Sequence, residues 1–279
     1  MITLDPLSLE KLRNRALSVR RDIVGMLKGA RAGSLLASFS SVDILVWLYE
    51  MILRVAPEIP AEAGRDRFVL SRVSATPALY AVLAERGFFD RDELWSYGCL
   101  GSLLQAAPDC RRTPGVDVTC GVLGMGAGIA LGLALALEDS QPEAKVFCLL
   151  SAEEVLGGAT WEALVRTIAR VPQNLTLIIE CAEMPSDSHE SNQSNRDFDL
   201  LANRLSALGC DVVCADGHDY ASLQGAWFSH SGARLRVIQA RTVRGKGLPS
   251  LKERPLDDAC LLEPQVTESL MRSLGGGLS

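Results

Sequence analysis

The alternation of apolar and polar positions divides the chain into two regimes. Up to Tyr97, apolar residues recur at helical spacing over Leu7 to Lys28, Ser41 to Leu53, Pro77 to Glu85 and Arg91 to Tyr97, which predicts helices with little strand between them. From Lys145 the period changes. The runs KVFCLL (145–150), NLTLIIE (174–180), DVVCA (211–215) and RLRVIQA (234–240) alternate with helical segments over Val155 to Ala169, Phe198 to Leu208 and Tyr220 to His230. Strands this uniformly apolar are buried on both faces, and their alternation with helices predicts an α/β fold: a parallel sheet with right-handed crossovers and helices on both faces, preceded by a helical segment. Ligands of such sheets bind at the carboxyl ends of the strands. Those ends are Ser151 to Glu154, Cys181 to Pro185, Ala215 to Asp219 and Arg241 to Gly247.

Three stretches interrupt this pattern. Val116 to Leu137 is nearly long and apolar enough to span a bilayer. Gly124, Gly128 and Gly132 fall four apart within it, a spacing that lets backbones pack closely either in a membrane dimer or in a buried helix of a soluble core. Polar turns on both sides favour the core. The Ser/Asn-rich segment 184–197 is expected to be a loop, and the tail GGGLS (275–279) to fray.

Charge and cysteine usage narrow the function classes. A net charge of −6 with both signs interspersed excludes an extended nucleic-acid surface or a basic membrane-binding face. The eight cysteines are scattered without a CxxC pair, which suits reduced thiols rather than a disulfide framework or a zinc site. The amino terminus lacks the apolar run of a secretory signal, so the expected location is the cytoplasm.

Candidate chemistry is sparse. The turn GVLGMG (121–126), with Gly121, Leu123, Gly124 and Gly126, has the form of a phosphate cradle at a helix amino terminus, or of glycines that only permit tight packing. Ser151, Ala152, Glu153 and Glu154 follow a strand where a metal–diphosphate site would lie. Ala152 offers no ligand, and the two glutamates read more simply as the first turn of a helix. Only three histidines occur: His189 in the polar segment, His230 at a helix end, both expected at the surface, and His218 in DGHD (216–219), a site residue or a turn organiser. The basic run RTVRGKG (241–247) could bind phosphate or stand in solvent. No Ser/His/Asp or Cys/His constellation can be assembled.

Taken in order, SSVDILVWLY (40–49), RDRFVLS (65–71), PALYAVLAE (77–85), TPGV (113–116), GVLGMG, ATWEAL (159–164), DGHD and ARTVRGKG (240–247) resemble the amino-terminal, pyrophosphate-binding half of transketolases from about Arg20 to Gly247. The resemblance implies the thiamine diphosphate-binding fold, one domain over residues 1–274, and a buried rather than membrane-spanning glycine-rich helix. It also implies a partner. The family's cofactor lies between this half and a pyrimidine-binding domain across a dimer interface, and the chain stops where that domain would begin, so a transketolase carboxyl-terminal-type subunit, a second copy, or both are expected.

The departures from the family pattern carry as much information as the matches. Where the family reads Gly-Asp-Gly, with the Asp on magnesium, this chain has Ser151, Ala152 and Glu153, and the family's second ligand, an Asn, aligns with Ala182. Glu153 would set a like charge against a diphosphate, at a cost of about 4 kcal/mol at 4 Å and an effective dielectric near 20, which approaches a thousandfold in affinity. Family histidines align with Ser34, Ser74, Ala107 and Asp258. The expectation is a vestigial cleft at Gly121, Leu123, Gly124, Gly126 and Glu153, with no catalytic residue, no magnesium and no thiamine diphosphate. Two alternatives stand beside it: a working component of a split, thiamine diphosphate-dependent transketolase, with magnesium, and a binding protein that uses the old cleft for another ligand.

Overall fold

The computed structural model describes residues 4–30, 32–183, 190–230, 232, 234–248, 262 and 264–275. Five strands, β1 (Arg67–Leu70), β2 (Val146–Ser151), β3 (Leu175–Glu183), β4 (Asp211–Asp216) and β5 (Arg236–Val243), pair in parallel in the order β1-β2-β3-β5-β4. Four of them are the β-rich runs of the sequence. β1 is additional, because four residues are too few to display a period.

Side-chain alternation sends Phe147 and Leu149 of β2 to one face and Val146, Cys148 and Leu150 to the other, and all five are fully buried. The first face is covered by α1 (Pro6–Leu27), α2 (Leu35–Trp47), α3 (Thr76–Glu85) and α8 (Tyr220–Phe228). The opposite face is covered by α4 (Gly126–Ser140), α6 (Gly158–Arg170) and α7 (Glu190–Leu208). The expected two-faced α/β architecture is therefore present. The one-turn helix α5 (Ala152–Val155) sits at the end of β2, and α9 (Pro264–Ser273) packs on α1.

Several elements differ from the sequence-based expectation. α2 starts at Leu35, six residues before the expected Ser41, with Ser34 as its cap accepting from the Ala37 amide at 3.1 Å. All thirteen of its residues are buried, so no polar stripe marks its length in the sequence. It continues as a widened turn over Leu48–Ile52. Leu35–Ile52 is the one helical run among the described residues long and apolar enough to cross a membrane, and 83% of it is buried. α4 spans only fifteen residues, and Gly124 precedes it with φ +85°, so Gly124 does not share a helical face with Gly128 and Gly132. Residues 190–197, expected as loop, form the start of α7. Residues 184–189 and 276–279 lie outside the described residues.

Among the described residues seven cysteines are free, and Cys120, Cys148, Cys181 and Cys210 are buried. Burial pushes Cys181 up to about 12 and Cys210 to about 11. Both are protonated, unreactive thiols at neutral pH.

One buried ion pair closes the carboxyl edge of the sheet. Glu180 of β3 is wholly inaccessible, and Arg72, just after β1, places Nη1 2.5 Å from Glu180 Oε2. Ser41 Oγ of α2 and Thr242 Oγ1 of β5 also donate to the Glu180 carboxylate, the latter at 2.9 Å, and Arg72 Nη1 donates to Ser40 Oγ at 3.3 Å. Burial alone would push the Glu180 carboxyl up. The charge and hydrogen bond of Arg72 overcome it and hold the carboxyl below its ordinary range.

A buried guanidinium left without its counter-charge costs roughly 3–5 kcal/mol. Glu180→Gln should therefore lower the urea midpoint by that equivalent with an unchanged slope, and an unchanged midpoint would remove the pair from any structural role. The pH dependence has a definite sign. A carboxyl depressed in the folded state stabilises above the range where unfolded glutamates titrate and loses that contribution as pH falls through its folded value. Wild-type stability should thus decline below about pH 4, and the decline should be shallower in Glu180→Gln.

Candidate functional site

At the carboxyl ends of β1 and β2 a cleft of ≈ 530 Å³ opens between the 121–125 turn, the α5–α6 corner and two arginines, Arg72 and Arg244. Of the residues expected to form the cradle, Leu123, Gly124 and Glu153 line it. Gly121 and Gly126 do not. Gly121 is exposed, and a Cβ there would meet nothing within 4 Å. Gly126 opens α4 against Ser71, where a Cβ would stand 2.2 Å from Ser71 Cβ and 2.8 Å from Ser71 Cα, so its glycine is a packing requirement.

The turn is tied down from within the protein. Glu154 is buried, and its Oε1 accepts from the Gly124 amide at 3.0 Å and from Ser71 Oγ at 2.6 Å, while Oε2 accepts from the Ser151 amide at 2.8 Å. Ser151 Oγ in turn accepts from the Glu154 amide at 3.2 Å, which completes a capping box. Thr160 Oγ1 donates to the Gly124 carbonyl at 3.2 Å. An amide that a phosphate would take in a cradle is therefore held by a carboxylate of the chain itself. The Ser-x-x-Glu spacing over 151–154 is the sequence signal for this role; it identifies Glu154 as the helix-start residue and says nothing of its reach to Gly124.

Glu153 points into the cleft, and its Oε1 lies 3.3 Å from Arg244 Nη2. Its side chain is 63% exposed, so solvent screening and Arg244 together weaken the like-charge penalty expected toward a diphosphate. The two positions that the resemblance sets against magnesium carry methyl groups. Ala152 is the first residue of α5, and Ala182 sits near the end of β3 beside Thr242. Neither methyl can replace the hard oxygen ligands magnesium requires, and no cluster of three His, Cys, Asp or Glu suited to a metal exists among the described residues. With Glu153 salt-bridged and Glu154 committed to three donors, the side chains present do not fit a magnesium diphosphate.

The positions aligned with family histidines have separate fates. Ser34 is the buried cap of α2, Ser74 is exposed on the cleft wall, and Ala107 is half-buried away from the cleft lining. Asp258 and His189 lie outside the described residues. His218 organises structure: Nε2 accepts from the Val243 amide at 2.9 Å, so the proton sits on Nδ1, which faces Asp43 Oδ2 at 2.7 Å. His230, expected at the surface, is half-buried and pairs through Nδ1 with Asp211 Oδ2 at 2.7 Å, at the opposite end of β4 from the cleft. Within the basic run, Arg244 reaches the cleft, whereas Arg241 stands 3.5 Å from Glu183 and over the Phe198 ring. Arg72 joins the cleft from β1 without any sequence signal, because its importance comes from Glu180 on another strand.

Comparison with known proteins agrees with this architecture. Residues 12–275 match the family described as transketolase, thiamine diphosphate binding domain. A transketolase family protein of Sinorhizobium fredii, y4mO, is 32% identical over 271 residues, covering 96% of each chain. One of the subunits of an apulose-4-phosphate transketolase, from Phocaeicola vulgatus, is 27% identical over 87% of this chain and 86% of its own. The transketolase structure from Leishmania mexicana superposes with a TM-score of 0.78 at 21% identity over 95% of this chain, and the chain spans 41% of that longer one. The parallel sheet, its helical amino-terminal segment and the sequence match lead to one assignment: the chain belongs to the transketolase family, as its thiamine diphosphate binding domain.

Proposed function

We propose that this chain is the amino-terminal component of a split transketolase-type assembly, acts in the cytoplasm, and serves as a non-catalytic structural or regulatory partner of a carboxyl-terminal-type subunit. The observation that carries the reading is the donor set of the cleft: Ala152 and Ala182 at the strand ends, with Glu153 bridged to Arg244 between them. A second reading is an active component that binds thiamine diphosphate in an altered way and transfers a two-carbon ketol unit between sugar phosphates. The relative from Phocaeicola vulgatus, named as part of an apulose-4-phosphate transketolase, favours that alternative. The third reading, a binding protein that uses the cleft for another ligand, has no observation of its own in its favour.

Titration calorimetry separates the first two readings. Thiamine diphosphate with magnesium should give no saturable heat at micromolar ligand, and a saturable, magnesium-dependent isotherm would transfer the assignment to the active component. The combined variant Ala152→Asp, Glu153→Gly, Ala182→Asn restores two oxygen ligands and removes the acid beside Arg244. It should acquire magnesium-dependent diphosphate binding, and continued silence would mean that the Glu154-held turn is no longer shaped for the ligand.

A partner surface is supported by exposed apolar side chains on the turn beside the cleft, Val122 and Leu123, and at the end of α5, Leu156, which are 66%, 69% and 67% accessible. α4 adds a second feature beside them. Gly132 lies inside the helix, where glycine costs about 1 kcal/mol relative to alanine, yet a Cβ there would meet nothing within 4 Å. No contact among the described residues requires that position to be small. Gly132→Leu should preserve or raise the melting temperature of the chain alone and weaken its association with the partner, or with itself, in sedimentation velocity. A variant that assembles like wild type would discard this face as the interface.

A further inference from the structure

The loop that carries Arg244 into the cleft also presents Lys246 to a second crevice, of ≈ 570 Å³, between α1, the start of α8 and the end of α9. Its floor holds Arg20, only 8% exposed. Arg20 Nε donates to the Lys246 carbonyl at 3.1 Å and Nη2 to Asp43 Oδ2 at 2.7 Å, while Nη1 makes no hydrogen bond among the described residues. Nη1 keeps contact with solvent where Arg20 lines the crevice, so it is available to donate to a bound acceptor.

The surrounding charges decide what kind of acceptor fits. Asp43 is already committed to Arg20, to His218 Nδ1 and to Tyr220 Oη at 3.1 Å, and Asp219 caps α8 by accepting from the Ala221 amide at 3.1 Å. Arg13 and Lys246 stand exposed at the rim, with no ion pair among the described residues. The lining thus holds Arg13, Arg20 and Lys246 against Asp43, which is paired with Arg20, and Asp219, which caps α8, on a chain whose net charge is −6. Leu9, Leu17 and Leu274 supply an apolar wall beside them.

We propose that this crevice binds the phosphoryl group of a small organic phosphate, with Arg20 Nη1 donating from the floor and Arg13 and Lys246 closing over the dianion from the rim. Guanidinium forks and ammonium groups match the geometry and charge of phosphate, and the two rim cations, added to the Arg20 donor, favour a dianion over a monocarboxylate. The site is separate from the cleft and independent of whether that cleft binds any cofactor.

The test is titration calorimetry of the full chain at low ionic strength with inorganic phosphate as the probe and acetate as the comparison. Phosphate should bind saturably with a stoichiometry near one and more tightly than acetate. Arg13→Ala and Lys246→Ala, both exposed and without side-chain partners among the described residues, should each weaken it about tenfold, the loss expected for one charge-assisted hydrogen bond. Arg244→Ala in the cleft should leave phosphate binding unchanged. Absence of saturable phosphate binding, equal affinity for acetate, or binding that Arg244→Ala abolishes and the rim variants leave intact would each overturn the proposal. Because Arg20 also holds Asp43, the rim variants rather than Arg20 carry the test.

Discussion

A charge pair taken out of water, Arg72 with Glu180, sets the geometry of the carboxyl edge. Neither ion is tolerable there alone, and the pair is tolerable only because Ser40, Ser41 and Thr242 supply the remaining hydrogen bonds. Each partner comes from a different element. The end of β1, the middle of β3, the end of β5 and the second turn of α2 must therefore meet at one point before the charges are satisfied. This fixes Arg72 on the cleft wall and sets the departure of the loop from Thr242, which brings Arg244 to the opposite wall. Val243, the last residue of β5, contributes its amide to His218, and the loop beyond it contributes the Lys246 carbonyl to Arg20. Three polar clusters are thus strung along the end of β5 and the short segment that follows it.

The glycine-rich turn obeys a related constraint. Ligand-binding turns of this type leave amides free for an anion. Here the Gly124 amide, the Ser151 amide and the Ser71 hydroxyl all converge on Glu154, so a carboxylate of the chain itself takes these donors. Gly126 completes the arrangement by letting α4 approach Ser71 more closely than any side chain would permit. The result is a cleft with well-ordered walls whose polar atoms are largely occupied by one another. Arg244 and Glu153 extend that self-pairing to the mouth.

Much of this was legible in the chain and some was not, for identifiable reasons. Strands buried on both faces are conspicuous as apolar runs, so β2 to β5 and their parallel pairing follow from residue type alone. α2 hid its start because complete burial erases the polar stripe that marks a helix boundary. The glycines at 124, 128 and 132 suggested one face, but spacing cannot reveal that Gly124 has φ +85° and belongs to the turn. Ala152 and Ala182 could be read as poor metal positions without coordinates, since a methyl group is no ligand in any environment. The pairing of Glu153 with Arg244 has no sequence signal, because Arg244 approaches from a different strand. Arg20 was invisible for the same reason: its unused amino group has meaning only beside Lys246, Asp43 and Arg13.

The way the fold is stabilised bears on which positions at the strand ends are structurally constrained. A structural metal that supplies folding energy cannot be discarded without unfolding the domain. Here the hydrophobic layers on both faces of the sheet are continuous, and the two acids nearest the strand ends in the core, Glu180 and Glu154, are neutralised or hydrogen-bonded by the chain itself. Ala152 occupies the first position of a helix whose cap is made by Ser151 and Glu154, and Ala182 extends a strand whose register with β5 is set by neighbouring residues. Neither position is asked to hold the fold together. Side chains at these two positions can therefore vary without disturbing the capping box of α5 or the pairing of β3 with β5.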